Sequence, residues 1–192
     1  HYRQQYRAVL FCFALLVAIF FTGGIAKQID WSQPLGEPIK VSLLQGNVPQ
    51  EMKFNEQRLR ATLKTYLDLT EKSSARLIVM PETAIPLMQD QIPPDYLGLL
   101  ANAAKKNNGD VLVGLFGNKR DNGKLEYFSS VMSFGSAPTQ SYSKVHLVPF
   151  GEFIPFKPLI GWIYDKWLHI PLVDTSRGAV DQKPLKVAGQ KV

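Results

Sequence analysis

The segment from Ala8 to Ala26 is the feature that most limits what this chain can fold into, because its 19 consecutive positions carry no charged side chain. A helix rises 1.5 Å per residue, so the segment would reach about 28 Å, close to the thickness of a membrane hydrocarbon core. We therefore predict a transmembrane helix within residues 1–26, with Arg3 and Arg7 as its basic flank. A secretory signal peptide is the alternative, because basic residues precede the run and small residues lie near its end.

The rest of the chain is predicted to form a mixed α/β sheet. Residues 27–38 combine charges with a glycine and two prolines, which indicates a linker, and residues 39–192 are predicted to be one domain. The order of apolar runs predicts strands alternating with helices, then consecutive strands. The predicted strands are Ile39–Gln45, Leu77–Met80, Val111–Leu115, Phe128–Phe134 and Gln140–Val145, with helices beginning near Asn55 and Pro94 and a hairpin turn at Asp121–Gly123.

A glutamate stands at the tip of one predicted buried strand. The run Leu77–Met80 is followed by Pro81-Glu82-Thr83-Ala84-Ile85-Pro86, so Glu82 is presented where an apolar strand ends. Partial burial favours the protonated form of a carboxyl group, which allows it to act as general base and then as general acid. We predict that role for Glu82; the alternative is an exposed loop glutamate.

A second group of candidates lies in the proline-bounded stretch Ser143–Pro155. Lys144 is a candidate for stabilising a tetrahedral oxyanion, because a compact ammonium can approach a reacting oxygen closely. Its alternative is a solvated lysine at a strand end. Glu152 lies in a run so apolar that it should be paired if it is buried. His146 has no thiolate, serine or metal partner in the sequence, and we interpret it as a hydrogen-bonded packing residue.

Composition narrows the chemistry further. Cys12 is the only cysteine and lies in the uncharged segment, whereas reactive thiols need partly exposed, electropositive surroundings. We therefore interpret Cys12 as a small apolar packing residue, and a single cysteine excludes an internal disulfide. The net charge of +6 comes from scattered lysines and arginines rather than a basic stripe, which argues against nucleic acid and favours an anionic membrane surface.

The motifs around Glu82 and Lys144 together resemble the nitrilase, or carbon-nitrogen hydrolase, superfamily and within it the apolipoprotein N-acyltransferases of bacterial envelopes. The resemblance runs from Val41 to the end of the chain and implies a partial nitrilase-type α-β-β-α sandwich preceded by one transmembrane helix. It also implies a Glu-Lys-Cys triad in which Glu82 is the base and acid, Lys144 stabilises the oxyanion, and Glu152 is a supporting carboxylate. The triad cysteine is expected beyond Val192, so we expect this chain alone to be inactive.

The resemblance implies an enzyme that moves a fatty acyl chain from phospholipid, through a cysteine thioester, to the N-terminal diacylglyceryl-cysteine of apolipoproteins. No metal or organic cofactor is expected, because thioester exchange needs neither. The expected location is the bacterial inner membrane, with the domain on the periplasmic side, as Arg3 and Arg7 before the helix also indicate. The alternatives are a carbon-nitrogen hydrolase, an amidase or nitrilase, acting on a small soluble substrate, and an inactive membrane-anchored binding module.

Two departures from the family pattern and one aromatic segment complete the expectations. Phe54 stands where relatives often carry tryptophan, and Ser129 stands where some carry asparagine. Both are expected to alter acyl-chain or acceptor contacts without touching the triad. The segment 155–168, which contains Trp162, is predicted either to lie at a membrane interface, where amphipathic aromatic rings settle, or to form a core helix.

Overall fold

The chain folds as two compact units, His1–Pro38 and Ile39–Val192. The structure is a computed structural model, and it describes residues 2–33, 36–49, 56–121, 123–156 and 175–192. Phe54 and the segment around Trp162 lie outside the described residues, so the expectations made for them stay predictions.

The first unit is dominated by one long helix, α1, over Tyr2–Ala26. No residue of this helix is buried, and its length and composition are sufficient to cross a membrane. A signal sequence near the N-terminus would meet the same criteria. The helix ends in a turn at which the Trp31 indole donates to the Ala26 carbonyl over 2.9 Å, and so satisfies one of the last carbonyls of the helix.

The second unit is built on a five-stranded sheet in the order β1-β2-β3-β4-β5. Strands β1, β2 and β3 pair in parallel. Strand β4 runs antiparallel to β3, and β5 runs antiparallel to β4. In chain order the elements are β1 Val41–Leu43, α2 Glu56–Lys72, β2 Leu77–Val79, a short 3₁₀ helix Gln89–Gln91, α3 Pro94–Lys105, β3 Asp110–Asp121, β4 Lys124–Gly135, β5 Gln140–Ser143, β6 Lys186–Val187 and β7 Gln190–Lys191.

The two faces of the sheet bury different layers. One face packs against α2 and α3 in a cluster that includes Leu63, Leu100 and Val113. The other face, represented by Leu112, packs against the β6–β7 hairpin through Val187. This order of helix layer, sheet and second sheet confirms the predicted mixed α/β fold. The predicted apolar helix before this fold is α1.

A buried carboxylate joins the sheet to the hairpin. Asp110, at the start of β3, is 1% exposed. It accepts hydrogen bonds from the Ala137 amide over 2.8 Å and from the Ala188 amide over 2.6 Å. Ala188 has a φ of 50°, in the left-handed region that non-glycine residues seldom adopt, so the hairpin turn is held in an uncommon conformation next to this carboxylate.

Several boundaries differ from those predicted. The first strand is limited to Val41–Leu43, and β3 extends to Asp121 rather than ending at Leu115. The extension occurs because β3 and β4 pair without interruption from Asp110↔Gly135 to Asp121↔Lys124, and such pairing overrides the weak strand preference of the polar residues.

Candidate active site

Glu82 lies on a tight turn that follows β2. The amide of Ala84 donates to the Pro81 carbonyl over 3.1 Å, and Thr83 has a φ of 53°. The next residue, Ile85, is fully buried and donates from its amide to the Gly114 carbonyl over 3.2 Å. The apolar end of this turn therefore anchors it in the core, while Glu82 projects from its outer side.

Gly114 makes this turn possible. A Cβ at position 114 would overlap the Pro81 carbonyl oxygen and would come within 2.9 Å of the Thr83 nitrogen and 3.0 Å of the Glu82 Cα. The backbone that carries Glu82 therefore lies directly on strand β3. A glycine inside a strand is a known signal of such close approach, so Gly114 could have been identified from the sequence.

Lys144 follows β5 and joins the two candidate carboxylates. Its ammonium donates to Oε1 of Glu82 over 3.0 Å and to Oε1 of Glu152 over 2.8 Å. Its backbone is held on both sides, because its amide donates to the Ser129 carbonyl over 2.8 Å and its carbonyl accepts from the Gly178 amide over 2.9 Å. Glu82 and Lys144, two of the charged candidates from the sequence, are thus in direct contact although they lie 62 positions apart.

Glu152 is fixed by its own loop. Its Oε2 accepts the Val148 amide over 2.7 Å, and its amide donates to the Val148 carbonyl over 2.9 Å. Phe150, between these residues, has a φ of 64°. The Glu152 carbonyl also accepts the Thr175 amide over 3.1 Å. Glu152 was expected to be paired if it is buried, and its carboxylate is bonded to the Lys144 ammonium and the Val148 amide.

The three charged side chains differ in exposure. The side chains of Lys144 and Glu152 are 28% and 20% exposed, whereas that of Glu82 is 59% exposed. The described residues therefore do not desolvate Glu82 as its apolar strand led us to expect. The reason is that Glu82 sits on the outer side of the turn after the strand, beyond the buried residues that make the strand apolar.

The pKa of Lys144 is raised above its ordinary value of 10.5. The hydrogen bond that Lys144 donates to Glu152 is the largest cause, and the hydrogen bond to Glu82 and coulombic attraction by Glu82 act in the same direction, while partial burial opposes them. A nearby negative charge favours the charged form of an amine. Lys144 is therefore a firmly protonated ammonium at neutral pH, as an oxyanion-stabilising group must be.

Ser129 is a member of this cluster that sequence reasoning misjudged. Its hydroxyl donates to Oε1 of Glu82 over 3.1 Å. The expectation that Ser129 would not touch the triad is wrong in this respect, since alternation along β4 turns its side chain towards Glu82. The charged cluster borders an open cavity of about 300 Å³ whose walls include Val131 and Tyr142.

Other candidates lie outside the cluster. His146 is exposed, so the packing role expected for it is wrong. Cys12 is exposed on α1 rather than packed among the described residues. Within those same residues no group of three His, Cys, Asp or Glu side chains is arranged to hold a metal ion.

Comparison with known proteins identifies relatives over most of the chain. The family model for carbon-nitrogen hydrolases matches residues 40–180, which include Glu82, Lys144 and Glu152. The chain is 52% identical over 92% of its length to a protein of Nitrosomonas europaea named apolipoprotein N-acyltransferase. It is 41% identical over 86% of its length to a protein of that name from Chromobacterium violaceum.

The chain spans about a third of the length of these curated relatives, 35% and 32% respectively. Among solved structures, that of a carbon-nitrogen hydrolase from Helicobacter pylori G27 aligns over 57% of this chain and 40% of that chain, with 18% identity and a TM-score of 0.37. This overlap is too loose for the two sites to be compared. On the family match over residues 40–180, the chain belongs to the carbon-nitrogen hydrolase family.

Proposed function

We propose that this chain is part of an N-acyltransferase that moves a fatty acyl chain from phospholipid to the N-terminal diacylglyceryl-cysteine of apolipoproteins. The observation that carries the proposal is the Lys144 ammonium held between Oε1 of Glu82 and Oε1 of Glu152. This arrangement offers a carboxylate for proton transfer beside a fixed positive charge, which are two of the groups that acyl transfer through a thioester requires. The name of the relatives, apolipoprotein N-acyltransferase, supports the class of acceptor and the transfer of an acyl group to nitrogen, and the phospholipid donor is part of our proposal.

The third group is a cysteine thiol. The one cysteine of this sequence, Cys12, lies in a segment without charged side chains, where no cation would stabilise a thiolate. We therefore assign the nucleophile to a cysteine of the longer protein that lies outside these 192 residues. The greater length of the relatives allows for such a residue.

The first half-reaction follows from these roles. Glu82 takes the thiol proton, and the thiolate attacks the carbonyl carbon of the phospholipid ester. Lys144 stabilises the oxyanion that forms, and the intermediate collapses to a thioester. The glycerol oxygen of the lysophospholipid leaves and takes the proton from Glu82.

The second half-reaction uses the same groups. The α-amino group of the acceptor attacks the thioester carbonyl, and Glu82 takes a proton from this nitrogen. The intermediate collapses to an amide, and the departing sulfur regains the proton from Glu82. Glu152 keeps the Lys144 ammonium in position throughout and takes no proton itself.

The proposed setting is the inner membrane, with the catalytic unit on the periplasmic side. Three features support it: the length and apolar composition of α1, the arginines that precede the apolar run, and the acyl donor, which is itself a membrane lipid. A membrane-embedded donor would be reached most readily by an enzyme anchored beside it.

The proposal is tested with the full-length protein in lipid nanodiscs that contain an acyl-labelled phospholipid. We expect a mass increase equal to one acyl chain on a single cysteine, and loss of that mass when a diacylglyceryl-cysteine peptide is added. Glu82→Gln should not form the adduct, because an amide cannot take the thiol proton. The matched control is Glu71→Gln, since Glu71 is an exposed glutamate on α2 and should be dispensable.

Other outcomes would replace the proposal. Hydrolysis of small soluble amides without any adduct from phospholipid would identify an amidase or nitrilase. A protein that binds the lipopeptide but performs neither reaction would be a membrane-anchored binding module.

A further inference from the structure

Ser129 contacts two of the three charged residues that the proposed mechanism uses. Its carbonyl accepts the Lys144 amide over 2.8 Å, and its hydroxyl donates to Oε1 of Glu82 over 3.1 Å. It lies within β4, paired with Phe116 of β3, and is 7% exposed. One residue of a central strand is therefore bonded to the backbone of one charged residue and to the side chain of the other.

The Glu82 carboxylate needs such a contact more than its neighbours do. Its side chain is the most exposed of the three and stands on a turn rather than on a strand. The Lys144 ammonium, which also contacts it, lies at the end of a flexible four-carbon chain. The hydroxyl oxygen of Ser129, by contrast, is separated from the backbone by one rotatable bond, Cα–Cβ, and the residue lies on a paired strand. It is thus a more rigid contact for the Glu82 carboxylate than the Lys144 ammonium is.

The hydroxyl also suits a group that changes its protonation state. A hydroxyl can donate to an ionised carboxylate and, after rotation, accept from a protonated carboxyl group. A base that must return its proton passes through both states in each half-reaction. A donor-only partner, such as the Lys144 ammonium, can satisfy only the first of them.

From these contacts we infer that Ser129 is a positioning residue that holds the Glu82 carboxylate in place through both of its proton transfers. The inference rests on the proposed function, in which Glu82 is the base and acid. It assigns to the serine a role in the orientation of this base rather than in contacts with the acyl chain or the acceptor.

The test uses Ser129→Ala in the full-length protein, with the rate of thioester formation measured against pH. We expect this rate to fall at least about 10-fold, the effect of losing a hydrogen bond to a charged group. The acid limb of the profile should move to higher pH, because the hydrogen bond that the hydroxyl donates to the charged carboxylate is stronger than the one it accepts from the protonated group, so that its loss favours the protonated form. The charged groups that face Glu82 in this cluster, Lys144 and behind it Glu152, are unchanged in the variant.

Three further variants complete the test. Ser129→Thr keeps the hydroxyl and suits a strand, so it should restore both the rate and the position of the acid limb. Ser130→Ala is the matched control, since the hydroxyl of Ser130 pairs with that of Ser143 over 3.0 Å and not with Glu82. If Ser129→Ala does not accumulate, Ser129→Cys, a slightly larger side chain whose thiol is a weak donor, should show the same shift. An acid limb that stays in place in Ser129→Ala or Ser129→Cys would overturn the inference.

A second readout separates this inference from the proposed function. The carboxylate infrared band of Glu82, obtained as the difference between the protein and its Glu82→Gln variant, can be followed against pH without any acyl donor. If phospholipid never acylates the protein but Ser129→Ala moves this titration to higher pH, the positioning role stands and the proposed reaction is wrong. An unmoved titration contradicts the positioning role whatever the reaction.

Discussion

Glu152 is the partner that holds Lys144 most closely. The two side chains meet over 2.8 Å, compared with 3.0 Å between Lys144 and Glu82, and Glu152 is the more buried of the two carboxylates. The second oxygen of Glu152 is bonded to the Val148 amide, so the carboxylate is oriented by its own loop. The position of the ammonium is therefore set mainly by Glu152, and Glu82 contacts the ammonium in that position.

This relationship predicts a pH effect for Glu152→Gln. Glu152 is the largest cause of the raised pKa of Lys144, so its removal should lower that pKa. Because the mechanism needs the charged ammonium, activity is retained below the pKa of Lys144 and lost as the pH rises through it. The alkaline limb of thioester formation should therefore move to lower pH in Glu152→Gln. A rate profile measured between about pH 7 and pH 11.5 tests this, and an unmoved alkaline limb would exclude Lys144 as the titrating group.

Lys144→Met should affect the chemical step itself. Removal of one oxyanion donor costs about 10²–10³-fold in rate, so thioester formation should fall by at least about 10²-fold. Single-turnover kinetics with labelled phospholipid measure this step directly. Lys64→Met is the control, since Lys64 is an exposed lysine that pairs only with Asp68 on α2 among the described contacts. Equal rates in the two variants would remove Lys144 from the mechanism.

The charged cluster was largely predictable because its residues stand next to strong local signals. Glu82 follows an apolar strand that ends in proline, and Lys144 and Glu152 lie in a stretch bounded by proline and rich in apolar residues. Glu82 and Lys144 meet across 62 positions because the turn that carries Glu82 lies on Gly114 of β3, while the Lys144 amide is bonded to Ser129 of the adjacent strand β4. Periodicity was sufficient to identify these strands.

The supporting contacts were less predictable, because they depend on which face of a strand a small residue occupies. Ser129 and Ser130 are chemically identical neighbours, yet one contacts Glu82 and the other Ser143. The exposure of Glu82 likewise depends on the direction of a turn rather than on composition. Hydrophobic patterns locate the core, and they leave the orientation of polar side chains near a turn undetermined.

Gly114→Ala should reduce activity through displacement of Glu82. The added methyl group would overlap the Pro81 carbonyl, so the turn that carries Glu82 must move. We expect slower thioester formation, by about 10-fold or more, because displacement of a reacting group by about 1 Å can cost 10²-fold. Gly98→Ala is the control: a Cβ there meets no atom within 4 Å, and alanine in a helix should stabilise α3 by about 0.5–1 kcal/mol. Normal thioester formation by Gly114→Ala would show that the site tolerates movement of this turn.

Asp110→Asn should weaken the attachment of the β6–β7 hairpin to the main sheet. The buried carboxylate accepts amides from both Ala137 and Ala188, and an asparagine side chain offers only one oxygen, so that its NH₂ group would face the second amide. A buried donor left unpaired costs about 1–3 kcal/mol, and the melting temperature of the full-length protein in detergent should fall accordingly. Asp181→Asn, at an exposed position, should leave the melting temperature unchanged. Equal melting temperatures for the two variants would mean that apolar contacts such as those of Val187 hold the hairpin without help from Asp110.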